Sequence, residues 1–317
     1  MDILLLFLSG RTQCVSSNGI KSSSRTVSSG VPQGSVLGPV LFLLYINDIS
    51  NNISSHVRLF ADDAAIYHDI SSDPVQSNLD HLSFQRDLDT LASWSHKWQM
   101  HFNVAKCYCL TITTKEQTSS FTYTMDGVNL TRVSSHKYLG VTVDGRLSWS
   151  EHIADITSKA AKTLGLIKRT LYPCKPSVKS TAYQTLVRPK LEYASTVWSP
   201  HTNKGVNKVE KVQRAAARFV TSDHRRTSSV TEMMDKLDWR PLEERRSHFQ
   251  LILFFKIVHG LVNISLPQHI TPLTYQTRHS HPLKYVQLQC RTDIYAYSFY
   301  PRVIRMSNTL PPSTILS

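Results

Sequence analysis

The spacing of hydrophobic residues predicts an N-terminal part of mixed elements. Residues 36–46 are almost wholly apolar, and this length, with Pro39 near the start, predicts a buried helix with proline in its first turn. Within residues 57–68, two apolar arms flank Asp62 and Asp63. That pattern is typical of a β-hairpin with both carboxylates at its turn, and we expect the arms to be buried.

A long amphipathic helix is expected next. From Leu79 to Trp98 apolar residues recur at nearly helical spacing, and Asp73 stands where it can cap the helix. We expect Trp94 and Trp98 to lie in the core rather than to stack on bases. The remaining strands are predicted at residues 107–113, 121–133 (a hairpin with Asp126-Gly127 as its turn) and 138–143.

Helical periodicity takes over in the second half of the chain. Helices are predicted at residues 151–171, 176–198, 204–221 and 228–262, whereas residues 263–317 have no clear periodicity. The third of these helices has an apolar face and a basic face. The apolar face carries Val209, Val212, Ala216 and Phe219, and the basic face carries Lys208, Lys211, Arg214 and Arg218.

The net positive charge of the chain comes from its second half. Residues 1–158 contain 11 Lys and Arg against 14 Asp and Glu, whereas residues 159–317 contain 25 against 9, and the net charge is +13. This arrangement suits a protein that binds a polyanion through its basic half and acts on it with the carboxylates of the other half. A set of solvated helices would explain the same charge pattern equally well.

The composition is that of a globular intracellular protein. Hydrophobic residues make up 41% of the chain, and no apolar run approaches the roughly 20 residues that a membrane span needs. The short apolar run at residues 3–8 is interpreted as part of a core element. The five cysteines form no C-x-x-C pair, which favours reduced thiols, in the nucleus or cytoplasm. We expect His279 and His281 to be surface residues rather than metal ligands.

Asp62 and Asp63 are the first candidates for chemistry. Adjacent carboxylates at a tight turn repel each other, and a divalent cation relieves the repulsion. Phosphoryl transfer with two metal ions uses such carboxylates to bind the attacking and leaving oxygens. The alternative is an ordinary solvated turn, because aspartate is also common in turns.

A second candidate segment precedes the apolar helix. Residues 29–35, with the sequence SGVPQGS, combine two glycines and a proline. Glycine allows a ligand or nucleic-acid strand to approach the backbone closely, and the following helix start offers unpaired N–H groups. A simple loop that leads into a helix would have the same pattern.

Together these segments resemble the reverse transcriptases of jockey-like non-LTR retrotransposons. The resemblance rests on residues 29–47 (SGVPQGSVLGPVLFLLYIN) followed by Phe60-Ala61-Asp62-Asp63, and on residues 7–15, 94–110, 137–141 (KYLGV), 152–171, 186–200 and 212–220, in the order of the family. It covers nearly the whole chain. It implies an RNA-directed DNA polymerase, which is a nucleotidyltransferase, with Mg²⁺ as cofactor if the chain is active. The implied partners are an RNA template, a DNA primer and deoxynucleotides, and no membrane is implied.

The resemblance also implies roles for individual residues. Asp62 corresponds to the carboxylate that binds the catalytic magnesium, with Asp63 as its neighbour. The other matching residues are Gln33 and Gly34 for the nucleotide and template, Lys106 near the leaving pyrophosphate, and Tyr138, Leu139 and Gly140 for the primer grip. The basic residues Lys208, Lys211, Arg214 and Arg218 are candidates for contacts with nucleic acid.

One departure from the family bears on activity. The family's first catalytic aspartate lies upstream of the SGVPQG segment, within a sequence of the type F-x-D-x-x-x-A-F-D, and nothing here matches it. Asp2 is the only acidic residue before Asp48, and the fingers region is also missing. Three interpretations stay open: a truncated or degenerate polymerase, an intact polymerase whose start lies further upstream, and a non-catalytic nucleic-acid-binding protein that uses the basic C-terminal helices.

The expected fold class is α+β. We expect a partial right-hand polymerase palm at residues 1–115, a primer-grip hairpin region at residues 116–150, and an all-α thumb with a helical extension at residues 151–317. Without the palm's first strand and helix, apolar surface should be exposed.

Overall fold

A computed structural model describes residues 2–115, 121–273 and 284–311. The chain divides into two compact units, which are treated separately below. Unit 1 comprises Met1–Cys109 and Ser119–Arg132, and unit 2 comprises Leu110–Thr118 and Val133–Ser317. His279 and His281 lie outside the described residues. Helices and antiparallel strands occur together, as the α+β class predicts.

Unit 1 consists of helices and short hairpins. Its helices are α1 (Asp2–Leu8), α2 (Leu37–Tyr45) and α3 (Pro74–Lys97), with a 3₁₀ turn at Val104–Lys106. Its paired strands are β1 (Thr12–Gln13) with β4 (Arg25–Thr26), β2 (Ser16–Ser17) with β3 (Ile20–Lys21), β5 (His56–Phe60) with β6 (Asp63–Tyr67), and β8 (Thr124–Met125) with β9 (Val128–Asn129). The strands β7 (Tyr108–Leu110) and β10 (Thr131–Val133) lie where the chain passes between the units.

Helix α3 is the centre of unit 1. The predicted cap is confirmed, since the Asp73 carboxylate accepts hydrogen bonds from the backbone N–H groups of Val75 and Gln76. The buried face of α3 includes Leu88, Leu91 and Trp94. The core also contains Ile46, Ile49, Tyr123 and Met125, with Trp98 packed against it. Both tryptophans are therefore part of the core, as predicted.

The predicted burial of α2 and of the hairpin arms is wrong. In α2 only Gly38 is buried, whereas Leu44 is 68% exposed, and in β5 Phe60 is 61% exposed. No residue of β5 or β6 is buried. An apolar sequence predicts burial only if another element covers it, and the described residues of unit 1 do not cover these faces. The predicted exposure of apolar surface is thus observed.

Unit 2 is mainly helical. After the hairpin of β11 (Ser135–Tyr138) and β12 (Val141–Asp144) come α4 (Ser150–Thr170), α5 (Pro176–Ala182), a π-helical turn (Tyr183–Val187), α6 (Arg188–Glu192), α7 (Ser195–Trp198), α8 (Asn203–Thr221), α9 (Val230–Lys236), α10 (Leu242–Val258), α11 (Asp293–Ala296) and α12 (Phe299–Thr309). None of the helices in the described ranges is both long and apolar enough to cross a membrane.

Two cores stabilise unit 2. The larger joins α4, the π-helical turn and α8, with Ala160, Tyr183, Trp198 and Val209 all fully buried. The smaller lies between α10 and α12, around Phe254, Ile270, Tyr285, Val303 and Ile304.

Several helix and strand boundaries differ from the predictions. Residues 138–143 are not one strand, because Leu139 and Gly140 form a turn with positive φ angles. The helix predicted at residues 176–198 is interrupted by the π-helical turn and by Ala194, whose φ is 51°. The helix predicted at residues 228–262 breaks before α10, where Asp238 has a φ of 53° and Pro241 follows.

Candidate functional site

The tip of the β5–β6 hairpin carries the two candidate metal ligands. The strands pair in register from His56 opposite Tyr67 to Phe60 opposite Asp63, which leaves Ala61 and Asp62 as a two-residue turn. Ala61 has a φ of 52°. Both carboxylates are exposed, so they are accessible to a hydrated cation and to phosphate oxygens.

The base of this hairpin is tied to α3 by a buried carboxylate. Asp87 Oδ1 accepts from Ser54 N (3.0 Å), and its Oδ2 accepts from Ser54 Oγ (2.8 Å), Ser55 N (2.8 Å) and Ser55 Oγ (2.5 Å). Ser55 immediately precedes β5, and its Oγ lies 3.0 Å from Nδ1 of His68, which follows β6. The one hydroxyl proton of Ser55 goes to Asp87, so His68 donates to Ser55 through Nδ1. Both ends of the hairpin therefore meet at Asp87.

The electrostatics of Asp87 favour its ionised form. Burial raises the pKa of this carboxyl, but the hydrogen bonds from Ser55 and Ser54 outweigh burial and hold the pKa below its ordinary value. The His68 ring also stacks on Phe84 of α3, with ring centroids 5.9 Å apart. Sequence reasoning did not identify Asp87, Ser55 or His68, because nothing in their spacing marks a contact across some thirty residues.

The SGVPQG segment is a loop held at both ends. Arg11 Nη2 donates to the carbonyl of Gly30 (2.6 Å), and Arg11 Nε donates to that of Leu8 (2.8 Å). At the other end Ser35 Oγ donates to the carbonyl of Pro32 (2.7 Å). Gln33 is exposed between these anchors, and the φ of +80° at Gly34 favours glycine. Arg11 is a positioning residue that the sequence did not reveal.

Gly38 is expected to be essential for the shape of this loop. Its N–H donates to Ser35 Oγ, and an added Cβ would lie 2.8 Å from the Pro32 carbonyl oxygen and 2.9 Å from Ser35 Oγ. We expect Gly38→Ala to lower the free energy of unfolding by about 1–3 kcal/mol, because the loop must move to relieve the overlap. Urea denaturation would measure the change.

Gly165→Ala is the matched control for this substitution. A Cβ at Gly165 meets only the end of Arg169, at 3.9 Å, within the regular helix α4. This alanine should therefore raise stability by about 0.5–1 kcal/mol. A Gly38→Ala variant that is as stable as the unsubstituted protein, or more stable, would contradict the close packing at Gly38.

Lys106 lies in the same unit as the hairpin and the loop. It ends the 3₁₀ turn Val104–Lys106 and is exposed. Within the described residues no hydrogen bond or ion pair joins Lys106, Gln33, Asp62 and Asp63. None of these four side chains forms a hydrogen bond or ion pair with any other described residue.

The donor set at the hairpin tip fits a magnesium ion only in part. Mg²⁺ is commonly held by one or two carboxylates together with water and substrate phosphates, and Asp62 and Asp63 match that pattern. In the described part of the chain there is no group of three or more His, Cys, Asp or Glu side chains that could enclose a metal ion.

The primer-grip candidates form the turn of the β11–β12 hairpin in unit 2. Leu139 and Gly140 have φ angles of 45° and 84°, and Tyr138 pairs with Val141. Side chains of the helical part contact this hairpin, and Asp155 Oδ2 lies 3.6 Å from Lys137 Nζ of β11. His152 Nδ1 accepts from Thr142 N (3.2 Å), and Tyr193 Oη donates to the carbonyl of Leu139 (2.9 Å).

The basic face predicted on α8 is present, with one difference. Lys204, Lys208, Lys211 and Arg214 are exposed. Arg218 is half-buried instead, and its Nη1 donates to the carbonyl of Arg225 (2.8 Å), so this guanidinium stabilises the loop after α8. The one acidic residue of the helix, Glu210, is buried, and burial raises its pKa.

Comparison with known proteins shows which proteins this chain is similar to. Residues 4–143 match the family described as reverse transcriptase (RNA-dependent DNA polymerase). Three curated relatives come from Drosophila melanogaster. They are the probable RNA-directed DNA polymerase from transposon X-element (28% identical over 69% of this chain and 24% of the relative), the RNA-directed DNA polymerase from mobile element jockey (28%, 73% and 27%), and the probable RNA-directed DNA polymerase from transposon BS (28%, 69% and 25%).

These similarities extend beyond the matched domain. The chain spans about a quarter of the length of these relatives. No solved structure shows significant similarity to it. The family match and the relatives confirm the resemblance seen in the sequence, and they identify the chain as a relative of the reverse transcriptases of jockey-like non-LTR retrotransposons.

Proposed function

We propose that the chain is part of an RNA-directed DNA polymerase that extends a DNA primer on an RNA template. The observation that carries the proposal is the pair of exposed carboxylates, Asp62 and Asp63, on a hairpin whose base is fixed to α3 through Asp87. A rigidly held hairpin with a free tip suits the binding of a cation and of phosphates.

The other candidate residues fit complementary roles in the same reaction. Gln33 and Gly34 would contact the incoming nucleotide and the template, and Gly34 leaves the backbone open to close approach. Lys106 would place a positive charge or a proton near the leaving pyrophosphate. Bound Mg²⁺ would help the primer hydroxyl to attack the α-phosphate of the nucleotide and would stabilise the developing charge.

We further propose that the chain alone is inactive as a polymerase. Two adjacent carboxylates at one turn do not make a two-metal site, and the described residues contain no larger ligand group. The palm, primer-grip and thumb divisions at residues 1–115, 116–150 and 151–317 belong to the same proposal.

Metal binding and primer extension together test this function. We expect Mn²⁺, used as a paramagnetic probe for Mg²⁺, to bind weakly to the chain, and Asp62→Asn to abolish that binding. Asp69→Asn, an exposed carboxylate just after the hairpin, is the control and should leave binding unchanged. A chain that binds no Mn²⁺ at the tip and has no affinity for primer–template would overturn the proposed function. Extension that Asp62→Asn abolishes would refute only the inactivity of the isolated chain.

A second function is favoured by the surface of α8. Lys204, Lys208 and Lys211 follow one stripe of the helix, Arg214 lies beside it, and the helix has no exposed acidic residue to neutralise them. Such a stripe fits the phosphates of a nucleic acid, without reading its sequence. The chain would then bind primer–template duplex or RNA even where no chemistry follows.

Salt dependence would test the α8 surface. The triple variant Lys208→Gln, Lys211→Gln and Arg214→Gln should weaken duplex binding and reduce the slope of log affinity against log salt by roughly 0.9 for each phosphate that the protein no longer neutralises. The control removes three other exposed cations, through Lys115→Gln, Lys236→Gln and Lys256→Gln. If both triple variants bind equally well, the stripe does not contact nucleic acid.

A further inference from the structure

The turn of the β11–β12 hairpin has an unusual backbone. Leu139 has a φ of 45°, in the left-handed region that branched and bulky residues rarely adopt, and Gly140 follows with a φ of 84°. A leucine in this region costs roughly 1–2 kcal/mol, so contacts from outside the turn must hold it there.

Tyr193 supplies those contacts. Its hydroxyl donates to the Leu139 carbonyl (2.9 Å), and a Cβ added to Gly140 would lie 3.1 Å from Cε1 of its ring. The ring therefore packs closely against the turn while Tyr193 remains 59% exposed. This combination of a fixed hydroxyl and an open ring face differs from that of a core tyrosine, such as the fully buried Tyr183.

The backbone of Tyr193 is itself held on both sides. On the preceding side, Glu192 forms a bidentate ion pair with Arg245 of α10 and lies 3.7 Å from Arg188. On the following side, the fully buried Trp198 donates from Nε1 to the Tyr193 carbonyl (2.8 Å).

The irregular backbone around Tyr193 also sets its direction. A π-helical turn precedes α6, and Ala194 adopts a φ of 51° directly after Tyr193. Such departures from regular helix cost free energy and are found often at functional sites. Here they bring an exposed side chain from the helical part onto the tip of the hairpin.

We propose that Tyr193 is a positioning residue for the primer grip: it holds the turn at Tyr138, Leu139 and Gly140 in the conformation that receives the 3′ end of the DNA primer. The inference rests on the proposed polymerase function and extends it to a residue outside the hairpin. Tyr193 acts through Leu139 and Gly140, and its hydroxyl is occupied by the Leu139 carbonyl.

The test compares two duplexes on the full chain. Tyr193→Phe removes the hydrogen bond to Leu139 and keeps the ring against Gly140. We expect it to lower the preference for an RNA–DNA hybrid with a recessed primer 3′ end, relative to a blunt hybrid, by about fivefold, as expected for one hydrogen bond. Tyr193→Ala should lower the preference further. The control is Tyr172→Phe, since Tyr172 is an exposed tyrosine of the same unit and lies near Lys179.

The outcomes separate this inference from the proposed function. A wild-type preference for the recessed end that survives Tyr193→Phe overturns the role of Tyr193 alone. A wild-type chain with no such preference overturns the primer grip and the inference with it. If Tyr193→Phe weakens binding of both duplexes equally and lowers the unfolding midpoint of the protein, the role of Tyr193 is purely structural, and the inference is also overturned.

Discussion

Replacing Asp87 with asparagine is expected to release the β5–β6 hairpin from α3. The carboxylate accepts four hydrogen bonds from Ser54 and Ser55, and an asparagine amide would turn an NH₂ group toward some of these donors. Hydrogen bonds to a buried charged group contribute about 1.5–3 kcal/mol each when one partner is removed, and these contributions do not add. We expect unit 1 to lose roughly 2–4 kcal/mol of stability.

Hydrogen exchange of the β5 and β6 amides would measure this effect. Protection of these amides should fall by roughly 30-fold to 1,000-fold, in line with the lower free energy of unfolding. Asp89→Asn is the matched control, because Asp89 is an exposed aspartate two residues along the same helix, and its carboxylate accepts one hydrogen bond, from Gln85, on the exposed side of the helix. Unchanged protection in Asp87→Asn would show that the hairpin is held by other contacts.

The lowered pKa of Asp87 also predicts how the stability of the protein changes in acid. Its pKa in the folded protein lies below the ordinary value of 3.8, so the folded state binds fewer protons than the unfolded chain at this position. The contribution of Asp87 is therefore complete above about pH 4 and is lost as the pH falls through the lowered pKa. In Asp87→Asn this part of the acid transition should be missing.

The sequence predicted local features more reliably than burial. The β5–β6 hairpin, the Asp73 cap and the amphipathic helix α8 follow from neighbouring residues, and all three are confirmed. The burial of α2 and of the hairpin arms depends on which elements cover them, and no local pattern carries that information. The same apolar sequence is therefore compatible with a buried or an exposed face.

Helix interruptions were missed for a related reason. The π-helical turn at Tyr183–Val187 contains no glycine or proline, so no residue within it marks the departure from a regular helix. Ala194 and Asp238 adopt positive φ angles that only tertiary contacts can select. In contrast, Gly140 does mark a turn in the sequence, because glycine is common in hairpin turns. The strand predicted at residues 138–143 did not take this glycine into account.

In the candidate site, too, residues in local sequence motifs could be predicted and residues that depend on tertiary contacts could not. Asp62, Asp63, Gln33 and Gly34 were found because they lie in short, distinctive segments. Asp87 looks like any polar residue of α3 in the sequence. Its importance arises from the burial of its carboxylate beside Ser54 and Ser55, which the folded chain alone creates.

Protonation of His152 is expected to weaken the anchoring of the β11–β12 hairpin. Its Nδ1 accepts from Thr142 N, so this nitrogen must be unprotonated, and its ring packs edge-on against Trp198 with centroids 5.1 Å apart. Burial lowers the pKa of His152 below its ordinary value of 6.5; nearby Lys137 and Lys159 act in the same direction, and Asp155 opposes them. Its contribution to stability is therefore complete above about pH 6.5 and is lost as the pH falls through the lowered pKa.

The variant His152→Phe separates this effect from those of the other histidines. Phenylalanine keeps a ring beside Trp198 but leaves the Thr142 N–H without its acceptor, which should cost about 1–3 kcal/mol at pH 8. Between pH 8 and pH 5 the thermal midpoint of the variant should fall less than that of the wild type. Burial also lowers the pKa of His81, but His81 is present in both proteins and so affects both pH profiles. The control is His201→Gln, since His201 is an exposed histidine stacked on Tyr297. Parallel pH profiles for wild type and His152→Phe would mean that folding does not change the pKa of His152, so that the hairpin does not respond to pH through this residue.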